Sequence, residues 1–270
     1  MAHDGRTDKR EPSAFVPVLP MFFKGAKAVS GWAASCYHLK RMCGRFTQTF
    51  TYADLHAFWS MLPDAEAKAA LGNLQPRYHI CPTDPIVAVL QTKAGPTLER
   101  VRWGLAPFWW KQPLKKLPAT FNARAETVST KPMFREAFKQ RRCIIPASGY
   151  YEWQGCSDGK QPWYFTAANG DPILLIAGLW ETWKNPEAPL ETVRSATMVI
   201  TEPNAFVAQV HDRMPVLLTR ATMGDWLSGA KGEELLKPAP EDAVQAWPVS
   251  RKVNSSKAPD EAGLIERVEV

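Results

Sequence analysis

Cys143-Ile144-Ile145-Pro146-Ala147-Ser148-Gly149-Tyr150-Tyr151-Glu152-Trp153 is the stretch on which the fold class turns. Its opening apolar run reads as a buried strand, Ser148-Gly149 as a bend, and Tyr150 to Trp153 as an aromatic strand. Downstream, a turn at Ser157-Asp158-Gly159 leads to further strands near Trp163–Thr166, Ile173–Trp183 and Ala196–Thr201. Shorter strands are predicted at Val216–Leu218 and Ala246–Val249. Upstream, Ile86–Leu90 and Leu98–Trp103 form a hairpin about the turn Lys93-Ala94-Gly95-Pro96.

Helices are few and short. Thr51 is placed to cap one over Tyr52–Met61, with Leu55, Phe58, Trp59 and Leu62 on one side and Pro63 at its end; Ala65–Leu71 suits a further turn or two. Another follows Thr130, with Pro132 in its first turn, Phe134 and Phe138 facing inward, and Lys139-Gln140-Arg141-Arg142 favouring its C-terminal dipole. Short helices are predicted at Pro203–Val210, Ala221–Leu227 and Glu233–Lys237, while residues 251–270 read as a tail. Many strands and few helices, without internal repeat, give one α+β domain: a curved, mainly antiparallel sheet or open barrel.

Composition narrows the function. At 270 residues and 45% hydrophobic content, the chain can bury about 75% of its unfolded surface. No run approaches the roughly 20 apolar residues of a membrane span. Ser13–Phe23 is apolar but contains Pro17 and Pro20, follows Asp4, Asp8 and Glu11, and lacks a small-residue cleavage site, so it makes a poor signal peptide. A cytoplasmic monomer without membrane attachment is expected. The net charge of +6 is uneven: residues 1–42 hold seven Lys/Arg against three acids, leaving the remainder at +2, so any nucleic-acid contact must come from a local patch. Residues 1–41 mix Pro, Gly and charge without sustained period and are expected to be disordered or loosely packed. Five cysteines (Cys36, Cys43, Cys81, Cys143, Cys156), with no CxxC pair, disfavour a disulfide framework and a zinc site; no HxxxH or HxH pairing suggests another metal. Neither a metal nor a cofactor is expected.

Five residues stand out as chemistry in turn-like contexts: Cys43, Asn122, Arg124, Glu152 and His211. Each also has an ordinary reading. A lone cysteine packs as a small apolar residue, Glu152 alternates outward on its strand unless its aromatic neighbours desolvate it, and His211 can cap a helix end. Asn122 and Arg124, two apart, share a face if extended, as an ordinary surface pair or a phosphate clamp. Met42-Cys43-Gly44-Arg45-Phe46 adds a condition. Were Cys43 the first residue, it would carry an α-amine and a thiol on adjacent carbons, which is an aldehyde trap. An α-amine with pKa about 7.7 to 8.0 is partly neutral at pH 7 and forms an imine; the thiol, near 8.5 before tuning, then closes a five-membered ring.

Four ordered motifs, Met-Cys-Gly-Arg-Phe at 42–46, Asn-Ala-Arg-Ala-Glu at 122–126, Gly-Tyr-Tyr-Glu-Trp at 149–153 and His-Asp-Arg-Met-Pro at 211–215, resemble the SRAP family. Arg102-Trp103-Gly104-Leu105 and Pro146-Ala147-Ser148-Gly149 extend the likeness, which runs from Cys43 to about residue 255. This family is named for SOS response-associated peptidases and includes proteins that shield abasic sites. The resemblance implies an SRAP domain over 43–255, with 1–42 a removable or non-native leader and 256–270 a C-terminal tail. It implies that N-terminal Cys43 traps the ring-opened aldehyde of an abasic site in single-stranded DNA as a thiazolidine, protecting the site. Glu152 would then be general acid/base, His211 would act on the sugar hydroxyl or imine, Asn122 would orient the reacting end, and Arg124 would hold a flanking phosphate. The protein would lie in the cytoplasm, on the nucleoid when bound.

Further DNA contacts are expected from Arg45 beside the nucleophile, from Lys131 and Arg135 flanking Pro132-Met133-Phe134, and from Trp103, Trp109 and Trp110, whose faces suit stacked bases unless they are core. Lys115-Lys116 and Lys139 to Arg142 suit backbone contact or simple solvation equally. Two other readings stay open: a thiol peptidase, with Cys43, His211 and Asn122 or Glu152, that cleaves before Cys43; and a non-catalytic single-strand-binding module. As numbered, the nitrogen of Cys43 is an amide, which forms no imine. Translation from Met42, proteolytic loss of the leader, or an intact inactive form would each reconcile the motifs with the numbering. The first is favoured by the aperiodic, highly charged character of 1–41.

Overall fold

The structure is a computed structural model describing residues 43–58, 74–188 and 190–270. The expectations for residues 1–42, for the helix beyond Phe58 and for Ala65–Leu71 fall outside them. The described residues lie in one compact unit, Lys40–Val270. In chain order the elements are β1 (Arg45–Gln48), α1 (Tyr52–Phe58), β2 (Arg77–Ile80), β3 (Pro85–Thr92), β4 (Gly95–Trp103), β5 (Asn122–Arg124), α2 (Arg135–Gln140), β6 (Arg142–Ala147), β7 (Gly149–Cys156), β8 (Gly159–Ala167), β9 (Leu174–Lys184), β10 (Thr192–Thr201), α3 (Ala205–Ala208), β11 (Met214–Pro215), β12 (Leu217–Leu218), α4 (Met223–Ser228) and β13 (Val244–Pro248). None of these helices is long and apolar enough to cross a membrane.

Two sheets carry the fold. One has the order β13-β8-β7-β1-β2 and is antiparallel throughout. In the other, β10, β4, β3, β6 and β9 pair in succession and β9 pairs again with β10, so the expected barrel closes. Closure removes the exposed edges of those five strands over their paired length. Among the described residues, β4 and the short β5 run parallel to β10.

The barrel strands read as continuous apolar runs because they bury both faces. Ile86, Ala88, Leu90, Ile145, Ile176 and Met198 pack with Phe46, Tyr150 and Phe165 of the other sheet. Val87, Val89, Ile144, Leu175 and Val199 join Phe138 of α2 and Trp226 of α4 in a second core. The bend at Ser148 lets the chain pass from β6 in the barrel to β7 in the neighbouring sheet. Gly149 has no substitute there, since a Cβ would sit 2.6 Å from the carbonyl oxygen of Phe165 and collide with the Tyr164 ring.

Gln48 fastens β1 to the barrel. Its Nε2 donates to the carbonyls of Val87 at 2.8 Å and Pro146 at 2.9 Å, and its Oε1 accepts from the Val87 amide at 3.0 Å. Thr51 and Asp54 cap α1 reciprocally, each side chain accepting from the other's amide.

Two expectations need correction. The helix assigned to Thr130 begins only at Arg135: the hydroxyl of Thr130 donates to the Thr127 carbonyl instead of capping, and successive turns fill 125–134. The segment after residue 250 is packed against the β1–β2–β7–β8 sheet. Val253 and Leu264 are fully buried with Tyr151 and Tyr164, and Asp260 pairs with Arg77 while accepting from the His79 amide at 2.9 Å. Its apolar residues are too sparse to show a period, so their burial was not readable locally.

Candidate functional site

The site lies where β1 and β7 meet β5 and the turn after α3. β1 pairs with β7 in the register Phe46↔Tyr150, which brings Cys43, just before β1, to Glu152. The Cys43 amide donates to Glu152 Oε1 at 2.9 Å. Cys43 has φ +29° and is 2% exposed; a non-glycine residue with left-handed φ is held there by its surroundings. From the barrel side, Asn122 Nδ2 donates to the Cys43 carbonyl at 3.3 Å. β5 offers Asn122 because Ala123, between Asn122 and Arg124, is buried in the core.

His211 completes the group. Asn204 caps α3, its Oδ1 accepting from the Val207 amide at 2.8 Å, and the His211 amide then donates to the Val207 carbonyl at 2.9 Å. The ring's Nδ1 lies 3.6 Å from Glu152 Oε2 and within hydrogen-bond distance of both the amide (3.2 Å) and the carbonyl (3.3 Å) of Arg213, which fix the ring's orientation. Arg213 is itself paired with Glu126, tying the His-Asp-Arg-Met-Pro turn to the Asn-Ala-Arg-Ala-Glu run. Burial raises the Glu126 carboxyl, but the hydrogen bond and charge of Arg213 outweigh that and lower its pKa.

Electrostatics single out Glu152, which is fully buried. Desolvation, reinforced by the charge of Asp212, pushes its pKa up to about 8 against the lowering effect of hydrogen bonds from Cys43. Near neutrality burial therefore favours its protonated form. A carboxyl titrating there can both give and take a proton at neutral pH. Burial, then the proximity of Glu152, pushes the Cys43 thiol well above its ordinary value.

Cys43, Asn122, Glu152 and His211 are thus brought together. Arg124 is exposed and shares the face of Asn122 along β5. Arg45 goes elsewhere: opposite Tyr151 in the register, it projects away from the Glu152 face, donates to the Asn254 carbonyl at 3.1 Å and lies 5.1 Å over the Trp153 ring. Trp103 cannot stack on a base. It is 0% exposed, meets Phe46 and Phe121 edge-on, and its Nε1 donates to the Phe121 carbonyl at 2.9 Å. Phe108 and Trp109 are the exposed aromatics of that loop. With Pro132, Arg135 and Glu136 they line a cavity of about 460 Å³, and Lys131 is exposed beside it.

Sequence reasoning missed Gln48, the Arg213–Glu126 pair and Tyr150, whose hydroxyl is buried on the Glu152 face. All lie inside or next to the quoted motifs. What hid Gln48 and the Arg213–Glu126 pair is that their partners are distant in sequence.

Residues 42–256 match the family described as SOS response associated peptidase (SRAP). Abasic site processing protein YoqW of Bacillus subtilis is 35% identical over 226 residues, covering 80% of this chain and 96% of that protein. YoaM of the same organism, also called an abasic site processing protein, is 35% identical over 223 residues, covering 80% of this chain and 94% of its own length. A crystal structure of a protein from Bacteroides thetaiotaomicron superposes with a TM-score of 0.74 at 23% identity, covering 84% of this chain and 100% of that one; it supports the fold.

Proposed function

Because the chain belongs to the SRAP family of SOS response associated peptidases, we propose that it processes abasic sites in DNA, with Cys43 as the covalent nucleophile when that residue is N-terminal. The observation that carries this reading is the 2.9 Å contact between the Cys43 nitrogen and Glu152 Oε1. An amine at that nitrogen would face a carboxyl suited to proton exchange. A free ammonium there would draw the Glu152 pKa down from about 8, and the two groups would titrate as a pair.

The amine adds to the ring-opened aldehyde, Glu152 relays protons as water departs, and the thiol closes a thiazolidine on the imine carbon. Asn122 holds the Cys43 carbonyl and so aims both nucleophilic atoms. His211 serves the sugar hydroxyl or the imine nitrogen. Arg124, Lys131 and Arg135 meet the phosphates of single-stranded DNA, and the exposed Trp109 takes a stacked base.

A thiol autopeptidase that cleaves the Met42–Cys43 bond draws on the same contact. The scissile nitrogen already faces a buried acid able to protonate it as it leaves. Cys43→Ser separates the readings. With an oligonucleotide carrying one abasic site, the adduct seen on a denaturing gel should vanish, while intact mass reports whether residues 1–42 remain attached. An adduct that persists with serine would contradict the proposal. A wild-type complex that boiling in detergent dissolves would leave only non-covalent binding.

A further inference from the structure

We infer that Tyr150 is a further catalytic residue of this site, its hydroxyl donating a hydrogen bond to the oxygen that leaves the aldehyde carbon; the inference rests on the reading of Cys43 and Glu152 given above. Tyr150 and Glu152 stand two apart on β7 and so share a face. The ring is fixed: it stacks on Phe165 with centroids 5.0 Å apart and planes 9° from parallel, and Tyr150 pairs in register with Phe46. Tyr150 is 1% exposed, and its hydroxyl has no hydrogen-bond partner among the described residues. Glu152 Oε2 is equally buried and also lacks one.

Two buried polar atoms without a hydrogen bond among the described residues, on one face of one strand, with His211 Nδ1 approaching Oε2 only to 3.6 Å, are what a site awaiting a polar occupant leaves behind. Buried hydroxyls are ordinarily satisfied, and a phenylalanine would keep every ring contact that Tyr150 makes, so packing does not account for the oxygen. Burial, then the charges of Cys43 and Glu152, pushes the phenol pKa well above its ordinary value. Tyr150 therefore keeps its proton and can act as a donor.

The chemistry balances without transfer of that proton. The amine lone pair forms the C–N bond while the carbonyl π pair moves onto oxygen, which receives one amine proton through Glu152. The nitrogen lone pair then forms C=N, the C–O bond breaks, and the oxygen departs as water with the second amine proton. Tyr150 stabilises the negative charge that gathers on oxygen in both steps, as an oxyanion donor does.

The test compares wild type with Tyr150→Phe, each expressed as the full chain with a protease site placed before Cys43. Thermal unfolding is followed on the uncleaved chain and single-turnover adduct formation with an abasic oligonucleotide on the cleaved one. The expected result is a Tm no lower than wild type, an adduct rate at saturating DNA reduced about tenfold, and unchanged affinity for the oligonucleotide. Equal adduct rates overturn the inference, as does a Tm lowered by several degrees, which would mean that the hydroxyl has a structural partner. Cleaved wild type that forms no adduct overturns the reading of Cys43 and Glu152, and this inference with it; the wild-type control tells that result apart from the others.

Discussion

Cys43 and Glu152 lie 109 positions apart and meet at 2.9 Å, amide nitrogen to carboxyl oxygen. The contact is made by the β1–β7 register: a slip of one residue would turn Glu152 to the opposite face of the sheet. The site is therefore as secure as the pairing of those two strands.

The raised pKa of Glu152 makes stability depend on pH in a known direction. The folded chain keeps a proton up to about 8 that the unfolded chain loses near 4.5. Its contribution is thus full below the lower value and is lost as pH rises through the upper one. Glu152→Gln is neutral at every pH. The wild-type Tm minus the variant Tm should fall between about pH 5 and pH 8 in thermal unfolding of the full chain; a constant difference would contradict the burial argument. With Cys43 exposed as the first residue, the same variant should form adduct on the order of 100-fold more slowly.

Gln48→Leu removes a side chain that satisfies three backbone groups of β3 and β6. Leucine fills much of the volume but leaves those groups unpaired. The expected loss is about 3 kcal/mol, read from urea unfolding. A loss under about 1 kcal/mol would show that β1 is held mainly by its strand partners.

The tryptophans of the Trp103–Trp110 loop divide by exposure. Trp103→Ala should cost about 3 to 5 kcal/mol of stability, because it empties a core position. Trp109→Ala should leave Tm unchanged and weaken binding to a single-stranded oligonucleotide by about 1 to 3 kcal/mol, measured by fluorescence anisotropy. Equal effects of the two changes on Tm would refute this division.

Much of this arrangement was legible in the sequence. The hairpin at Lys93-Ala94, the buried Cys143–Ala147 strand and the aromatic strand after Ser148 all show as local period and turn chemistry. So do the four motifs whose order carried the family resemblance. Strand partners were not legible, since closure of β9 onto β10 and the parallel pairing of β5 are non-local. The same limit applied within the site. Trp103 and Trp109 have equal stacking power as residues, and only the packing of Phe46 and Phe121 makes one core and leaves the other exposed. Arg45 sits two residues from Cys43, yet Cys43 lies before β1 with a left-handed φ, and Arg45, opposite Tyr151, sends its guanidinium to Trp153 and Asn254.

The central claim is that the Cys43 nitrogen, as a free amine beside Glu152, becomes covalently bound to an abasic site. The most direct measurement incubates two chains, one beginning at Cys43 and one retaining residues 1–42 verified by intact mass, with the same abasic oligonucleotide, then runs both on a denaturing gel. The account predicts a boiling-resistant adduct with the first and none with the second. An adduct formed by the chain that verifiably keeps its leader, or none formed by the chain that begins at Cys43, would contradict it.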